Sequence, residues 1–130
     1  MIISPEIETI LNQQINDELY SSNLYLAMAS YFFDEELNGF GNFFMVQSEE
    51  ERFHAMKHFK YLHDVGGRLV LSDIKAPTQK FESYKSVFEI TLAHEEKVTK
   101  SIYNCLDRAM AVKDFATYNF LEWFVAEQVE

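Results

Sequence analysis

Long stretches with the periodicity of an α-helix dominate the sequence and limit what it can fold into. Apolar residues recur every three or four positions, beginning just after Ser4-Pro5-Glu6, a combination typical of a helix start. The chain has only four glycines and two prolines, which leaves little material for the turns between short strands. The pattern therefore predicts an all-α fold.

Breaks in the pattern divide the chain into four helices. The second helix should end at Gly66-Gly67, and Asp114 should cap the fourth. Asn38 is a possible cap of the second helix, and the third should start near Ser83 or Ser86, where Ser86-x-x-Glu89 fits a capping box. The expected helices, within a single domain spanning 1–130, are about 5–34, 39–65, 83–110 and 115–130.

The segment between the second and third helices is unusually long. Arg68 to about Glu82 lacks helical periodicity, and Pro77 forbids a continuous helix. A helix of about 27 residues is roughly 40 Å long, whereas a connector of about 16 residues can reach roughly 50 Å. The connector can therefore cross the length of a bundle, so that helices two and three run parallel.

Acidic residues interrupt the apolar stripe of each predicted helix. Glu18 lies in the first stripe, Glu51 in the second and Glu95 in the third, while Glu127 or its neighbours occupy the fourth. Glu51 and His54 share a face because residues three apart on a helix are neighbours. Taken alone, Glu49-Glu50-Glu51-Arg52-Phe53-His54 also fits a solvated charge run.

Burying a carboxylate without a partner costs free energy, and four carboxylates at the same height in a helix bundle would repel each other. Bound divalent cations remove that cost, and a carboxylate beside an imidazole suits iron, zinc or manganese. Four-helix di-metal proteins use this arrangement. The stripes therefore predict a metal centre inside a bundle.

The charge balance and the single cysteine exclude several classes of protein. The chain carries 21 acidic against 11 basic residues, a net charge of −10, which repels nucleic acid and anionic membranes and attracts cations. Cys105 alone cannot form an internal disulfide, so we expect a small core residue or a partly exposed thiol in a reducing compartment. The longest near-apolar run, Leu24 to Phe33, is too short to span a bilayer, and no secretory signal is visible. We expect a cytoplasmic protein.

Four motifs spread over nearly the whole chain occur together. They are Glu18-Leu19-Tyr20-Ser21-Ser22 followed by Tyr25, then Glu50-Glu51-Arg52-Phe53-His54, then His94-Glu95, and finally Asn119-Phe120-Leu121-Glu122-Trp123-Phe124-Val125-Ala126-Glu127-Gln128. In this combination the sequence resembles the bacterial non-haem ferritins. The resemblance implies a ferritin-like four-helix bundle with a long crossover between helices two and three.

The resemblance also implies the roles of individual residues. Glu18, Glu51 and His54 would hold a first iron, and Glu51 would bridge to a second iron held with Glu95, with Gln128 beside it. The bridging Glu51 would be central to catalysis.

Two further features of the family correspond to residues of this chain. Glu50, Glu127 and Glu130 would be ligands of a third iron site. Tyr25 resembles the tyrosine that hydrogen-bonds near the centre and donates an electron, and is the second expected catalytic residue.

Two departures distinguish the chain from other ferritin branches. Haem-binding cousins carry a methionine after the bridging glutamate, where this chain has Arg52, so we expect no haem. Family members also continue the fourth helix and add a short fifth one. The fourth helix is therefore expected to be incomplete and the chain truncated at its C-terminus.

The implied function is an iron-storage subunit with ferroxidase activity. It would oxidise Fe(II) to Fe(III) with dioxygen and mineralise the product within a homo-oligomeric cage, of twenty-four subunits if the full chain is present. The alternative is a di-iron peroxidase or oxidase of the rubrerythrin kind, whose usual Cys-x-x-Cys module one cysteine cannot build. A structural bundle without metal is a third possibility.

The other histidines are expected outside the metal centre. His58 is expected at the surface or an interface, and His63 and His94 in solvent.

Overall fold

The structure, a computed structural model, describes residues 3–129. These residues form four α-helices and no strand, which confirms the all-α prediction. The helices are α1 (Pro5–Asp34), α2 (Asn38–Asp64), α3 (Tyr84–Ala111) and α4 (Phe115–Val129). Their bounds lie within one residue of those predicted from the sequence.

Two helix caps form as predicted. The Ser4 hydroxyl accepts a hydrogen bond from the Ile7 N–H at 3.3 Å, and Pro5 occupies the first helical position. At α4, Asp114 Oδ1 accepts from the Thr117 N–H at 3.0 Å, and Thr117 Oγ1 donates to Asp114 Oδ2 at 2.7 Å. Both caps satisfy N–H groups that have no partner inside their own helix.

The starts of α2 and α3 differ from the prediction. Asn38 is already helical, because the carbonyl of Leu37 accepts the first helical bond from the Gly41 N–H, so the predicted Asn38 cap is wrong. At α3 the cap is Ser83, whose Oγ accepts from the Ser86 N–H at 3.1 Å. Ser86 itself therefore lies inside the helix, where it cannot begin a capping box.

Glycine ends α2 as predicted. Gly66 has a φ of 81°, in the left-handed region that glycine adopts without steric cost. The Gly67 N–H then donates to the Leu62 carbonyl at 2.8 Å, which satisfies one of the last carbonyls of the helix.

The chain divides into two compact units, Met1–Phe81 and Glu82–Glu130. In the first unit α1 and α2 pack antiparallel. Phe32, near the end of α1, stacks on Phe44 and contacts Phe40 near the start of α2, while Glu18 faces His54 further along. The buried apolar residues of this helix pair are Ile7, Leu11, Ile15, Leu24, Tyr25, Met28, Ala29, Phe32, Phe44, Ala55 and Leu62. The apolar stripes that helical spacing predicts in α1 and α2 are largely buried, although Phe40, the first residue predicted for the α2 stripe, is exposed.

The connector after α2 lies along α1. Asn12 donates from Nδ2 to the Arg68 carbonyl at 2.9 Å and accepts at Oδ1 from the Val70 N–H at 2.8 Å. Phe81, at the other end of the connector, packs edge-on against Tyr31 with ring centroids 5.5 Å apart. The connector thus runs from near the start of α1 to near its end, which is the path that the predicted crossover requires.

The second unit consists of α3 and α4. Its buried residues are Val87, Ile102, Cys105, Leu106 and Ala109 from α3 and Thr117, Leu121 and Phe124 from α4. Cys105 is buried, so it is the core residue and not the partly exposed thiol. The helical spacing of apolar residues predicts that Phe88 and Leu92 begin the buried stripe of α3, but both are exposed, so the prediction is wrong at this end of the helix. Val87, one residue earlier and about 100° around the helix, is buried instead. Further along α3, Ile102, Leu106 and Ala109 are buried as the spacing predicts.

Between residues 3 and 129 no helix combines the length and apolarity that crossing a membrane requires. The prediction of a single domain stays a prediction.

The Asp114 cap gives a direct test of the α4 boundary. Asp114→Ala removes the acceptor of the Thr117 N–H and should lower the free energy of unfolding by about 1 kcal/mol. Asp107→Ala, at an exposed position of α3, should leave stability within about 0.5 kcal/mol of the starting protein. Chemical denaturation followed by circular dichroism measures both, and equal stability of the two variants would contradict the cap.

Candidate metal centre

Three buried side chains of the first unit meet between α1 and α2. Glu18 comes from α1, and Glu51 and His54 come from successive turns of α2. Ligand atoms of all three lie within 4.8 Å of one another. His54 Nδ1 is 3.7 Å from Glu18 Oε2 and 3.6 Å from Glu51 Oε2.

Helical spacing places the three residues where the sequence predicted. Glu51 and His54 are three apart and share one face of α2, and Glu18 lies in the buried stripe of α1 that faces it. Their exposed fractions are only 2% for Glu18, 5% for Glu51 and 9% for His54. The reading of Glu49–His54 as a solvated charge run therefore fails at Glu51 and His54, although Glu49 and Glu50 are exposed.

Burial and mutual contact change the acidity of the cluster. Burial raises the pKa of Glu18 to about 8, an effect that His54 opposes and Glu51 reinforces. Burial alone would lower the pKa of His54, but the adjacent Glu18 and Glu51 carboxylates outweigh it and raise that pKa to about 10. Without a metal the cluster therefore holds a proton on each of these two residues near pH 7.

A divalent cation fits this donor set. Glu18 Oε2 is buried and accepts no hydrogen bond from any residue between 3 and 129, although burying such an atom without a partner is costly. Two carboxylates and one imidazole are a set that suits iron, zinc and manganese. The same atoms that hold protons near pH 7 would serve as the ligands.

Two of the other predicted site residues meet in the second unit. Gln128 Nε2 donates to Glu95 Oε2 at 3.2 Å and to Thr99 Oγ1 at 2.8 Å, so α4 and α3 are joined at the acidic residue of the α3 stripe. Glu95 and Gln128 are both half-buried. The expected neighbourhood of these two residues is present, and the role of Glu95 as a ligand stays a prediction.

The residues expected at a third iron site come from both units of the chain, and their role stays a prediction. Glu50 is exposed on α2, and Glu127 is half-buried on α4. Glu130 lies outside the described residues. Within residues 3–129, Glu18, Glu51 and His54 form the group of side chains that could hold a metal ion.

Tyr25 is buried in the same stripe of α1, seven residues after Glu18. Its ring lies 6.0 Å from that of Phe44 on α2, with an angle of 38° between the planes. A phenol fixed in this way on the seam between α1 and α2 is close in sequence to the cluster, and its redox role stays a prediction.

His58 is the clearest error of the sequence analysis. It was expected at the surface or an interface, but the structure buries it completely, on the same face of α2 as His54. Burial, reinforced by the positive charges of His54 and Lys57, lowers its pKa to about 3. His58 is therefore a neutral core residue, whereas His63 is exposed as predicted and His94 is half-buried.

Sequence reasoning also missed Ser48, which is buried on α2 and hydrogen-bonds Ser22 of α1. The available signal was spacing, because Ser22 follows Glu18 by four residues and Ser48 precedes Glu51 by three.

Comparison with known proteins agrees with this fold. Residues 8–130 match the ferritin-like domain family. A bacterial non-heme ferritin from Campylobacter jejuni is 41% identical over 129 residues, covering 99% of this chain and 77% of the relative. The corresponding protein of Staphylococcus epidermidis is 43% identical, with coverage of 99% and 78%.

The structural comparison leads to the same class. A crystal structure described as a novel open pore ferritin from the archaeon Archaeoglobus fulgidus superposes with a TM-score of 0.96 at 49% identity, covering 98% of this chain and 77% of that one. The fold is thus the ferritin-like four-helix fold. The chain belongs to the ferritin family of iron-storage proteins, as the sequence motifs indicated.

Metal binding at the cluster should weaken as the pH falls. A cation needs Glu18 ionised and His54 neutral, but their pKa values are raised to about 8 and about 10, so each ion must displace protons. Co(II) affinity should fall at least about tenfold from pH 7 to pH 6. Titration followed by visible absorbance measures it, and a pH-independent affinity would contradict these protonation states.

His58 should make the protein sensitive to acid. Its pKa is about 3 in the folded chain and has the ordinary value of 6.5 when exposed, so the unfolded state binds more protons between these values. Stability from this residue is present above pH 6.5 and is lost as the pH falls towards 3. His58→Leu should therefore gain stability relative to the starting protein, on the order of a few kcal/mol, between pH 7 and pH 4.

Denaturation at several pH values tests this expectation. His63→Leu, which changes an exposed histidine of the same helix, is the matched control. Parallel pH profiles for the starting protein and His58→Leu would show that His58 is not buried as a neutral group.

Proposed function

We propose that this chain is a ferroxidase subunit of an iron-storing assembly, which oxidises Fe(II) to Fe(III) with dioxygen. The observation that carries the proposal is the buried cluster of Glu18, Glu51 and His54, with ligand atoms within 4.8 Å of one another. Membership in the ferritin family supports the same function.

The cluster favours oxidation of the iron that it binds. Fe(II) is the substrate, and Glu18 and Glu51 are hard oxygen donors that suit both of its oxidation states, while His54 adds a neutral nitrogen. In a buried site of low dielectric constant, two carboxylates stabilise a triply charged ion more than a doubly charged one. The ligand set thus lowers the reduction potential of bound iron and makes electron loss easier.

A second iron position explains how dioxygen is used. Each Fe(II) gives up one electron, so two ions together reduce one dioxygen to the level of peroxide. In this proposal Glu51 is the ligand that a second ion would share with the first, and the role of Glu95 as a further ligand stays a prediction. The hydrogen bond from Gln128 to Glu95 supports this role, because it fixes the orientation of the carboxylate.

The remaining predicted residues would serve iron and electron supply. Exposed Glu50 would bind iron more weakly in contact with water and pass it on, while iron binding by Glu127 and Glu130 stays a prediction. Buried Tyr25 would supply an electron from the α1–α2 seam. The redox assignment is supported by the burial of the phenol.

Storage of an iron mineral requires a surrounding shell, so we propose that the chain forms a homo-oligomer that assembles into a cage of twenty-four subunits. Large apolar side chains exposed on α2 and the connector support self-association. They include Phe43, Val46, Phe53, Val70 and Leu71.

A peroxidase or oxidase of the rubrerythrin kind is the alternative, and the similarity to bacterial non-heme ferritins favours storage over it.

Glu51→Ala is the most direct test of the function. It removes the proposed bridge between the two ions, so aerobic Fe(II) oxidation should slow at least about tenfold, since even partners outside the ligand set typically contribute that much. Oxidation is followed by the absorbance of the Fe(III) product under air, and circular dichroism checks that the helices remain.

Glu49→Ala is the matched control, because Glu49 is an exposed carboxylate two residues away on the same helix. It should oxidise iron at the rate of the starting protein. If Glu51→Ala did the same, the cluster would not be the oxidation site.

A further inference from the structure

Ser22 of α1 and Ser48 of α2 hydrogen-bond each other's backbone. Ser22 Oγ donates to the Ser48 carbonyl at 2.8 Å, and Ser48 Oγ donates to the Ser22 carbonyl at 2.8 Å. The two hydroxyl oxygens are 3.1 Å apart. The contact is thus reciprocal, with each helix donating to the other and accepting from it.

A serine within a helix usually bonds the carbonyl four residues earlier in its own helix. Ser21 does so, with Oγ donating to the Asp17 carbonyl at 3.0 Å. Each hydroxyl has a single proton, so Ser22 and Ser48 use theirs across the seam. Short side chains can bridge two backbones only where the helices approach closely, and the pair therefore marks a close crossing of α1 and α2.

The crossing lies one helical turn from the metal ligands on both helices. Ser22 follows Glu18 by four residues, and Ser48 precedes Glu51 by three, so the serines and the ligands share a face on each helix. Any slide of α1 along α2 at the serines moves Glu18 relative to Glu51 and His54 by the same amount.

A metal site tolerates smaller displacements of its ligands than the shift produced when one helix slides along another by a single residue. A shift of one residue along a helix is about 1.5 Å, and a working site must be held to within about 0.5 Å. Apolar side chains in the seam accept such shifts more readily than hydrogen bonds do, because hydrophobic contact is non-directional.

We propose that Ser22 and Ser48 are positioning residues of the metal centre: their reciprocal hydrogen bonds fix the separation and register of α1 and α2, so that Glu18 faces Glu51 and His54 at ligand distance. The inference rests on the proposed function, since it assigns the serines to the site that would bind and oxidise iron.

Co(II) is a suitable probe, because its visible spectrum reports the number and geometry of its ligands as well as occupancy. Ser22→Ala and Ser48→Ala should each weaken Co(II) binding about tenfold, as loss of a supporting partner typically does. At saturating Co(II) their spectra should also shift in band position or intensity. The double variant should lose less than the product of the single losses, because both substitutions break one contact.

Two controls separate positioning from general stability. Ser22→Thr keeps the hydroxyl and should restore affinity and spectrum to near those of the starting protein. Ser30→Ala, at an exposed position of the same helix, should change neither. A purely structural role of the serines would lower thermal stability but leave the spectrum at saturation unchanged, and that result would overturn the proposal.

The same titrations test the role of the serines and the metal centre separately. Starting protein that binds Co(II), together with alanine variants of unchanged affinity and spectrum, would overturn the role of the serines and leave the metal centre standing. Starting protein that binds Co(II) no better than Glu51→Ala would overturn the metal centre, and the positioning role with it.

Discussion

The cost of burying charge is the constraint on which the first unit depends. Two carboxylates and an imidazole lie in a helix seam that is otherwise mostly apolar, and a seam of apolar side chains alone would be cheaper to bury. The protonated His54 between Glu18 and Glu51 offsets part of this cost when no metal is present. The cluster is therefore kept at the expense of stability, as expected for residues retained for their chemistry.

The polar residues of the seam form successive layers. Ser22 and Ser48 make one layer, and Glu18, Glu51 and His54 make the next. Gln14 and His58, both buried, lie about one further turn along their helices. Directional contacts in neighbouring layers specify a single alignment of α1 and α2, while the aromatic residues around Tyr25 and Phe44 supply apolar burial.

Much of the fold and of the first metal site could be predicted because both follow from helical spacing. The three-residue interval between Glu51 and His54 and the cap at Asp114 are local features, readable without knowing what faces them. Local spacing did not predict the burial of His58 and Ser48 or the exposure of Phe88, because burial depends on the partner helix. A rotation of one helix by a single residue changes which polar residue is buried and which of two adjacent apolar residues points inward. Glu95 and Gln128 could be predicted only in part. Helical spacing assigns each to the stripe of its own helix, but only the structure shows the hydrogen bond between them.

The bonds from Asn12 to the connector have a consequence for the order in which the chain is made. Glu18, Glu51 and His54, the serines that join their helices and the connector held by Asn12 all belong to the first 81 residues. Proteins emerge from the ribosome N-terminus first and tend to fold in that order. The complete ligand set of the cluster is therefore synthesised before α3 begins, and a nascent chain could meet its first metal ion while α3 and α4 are still being translated.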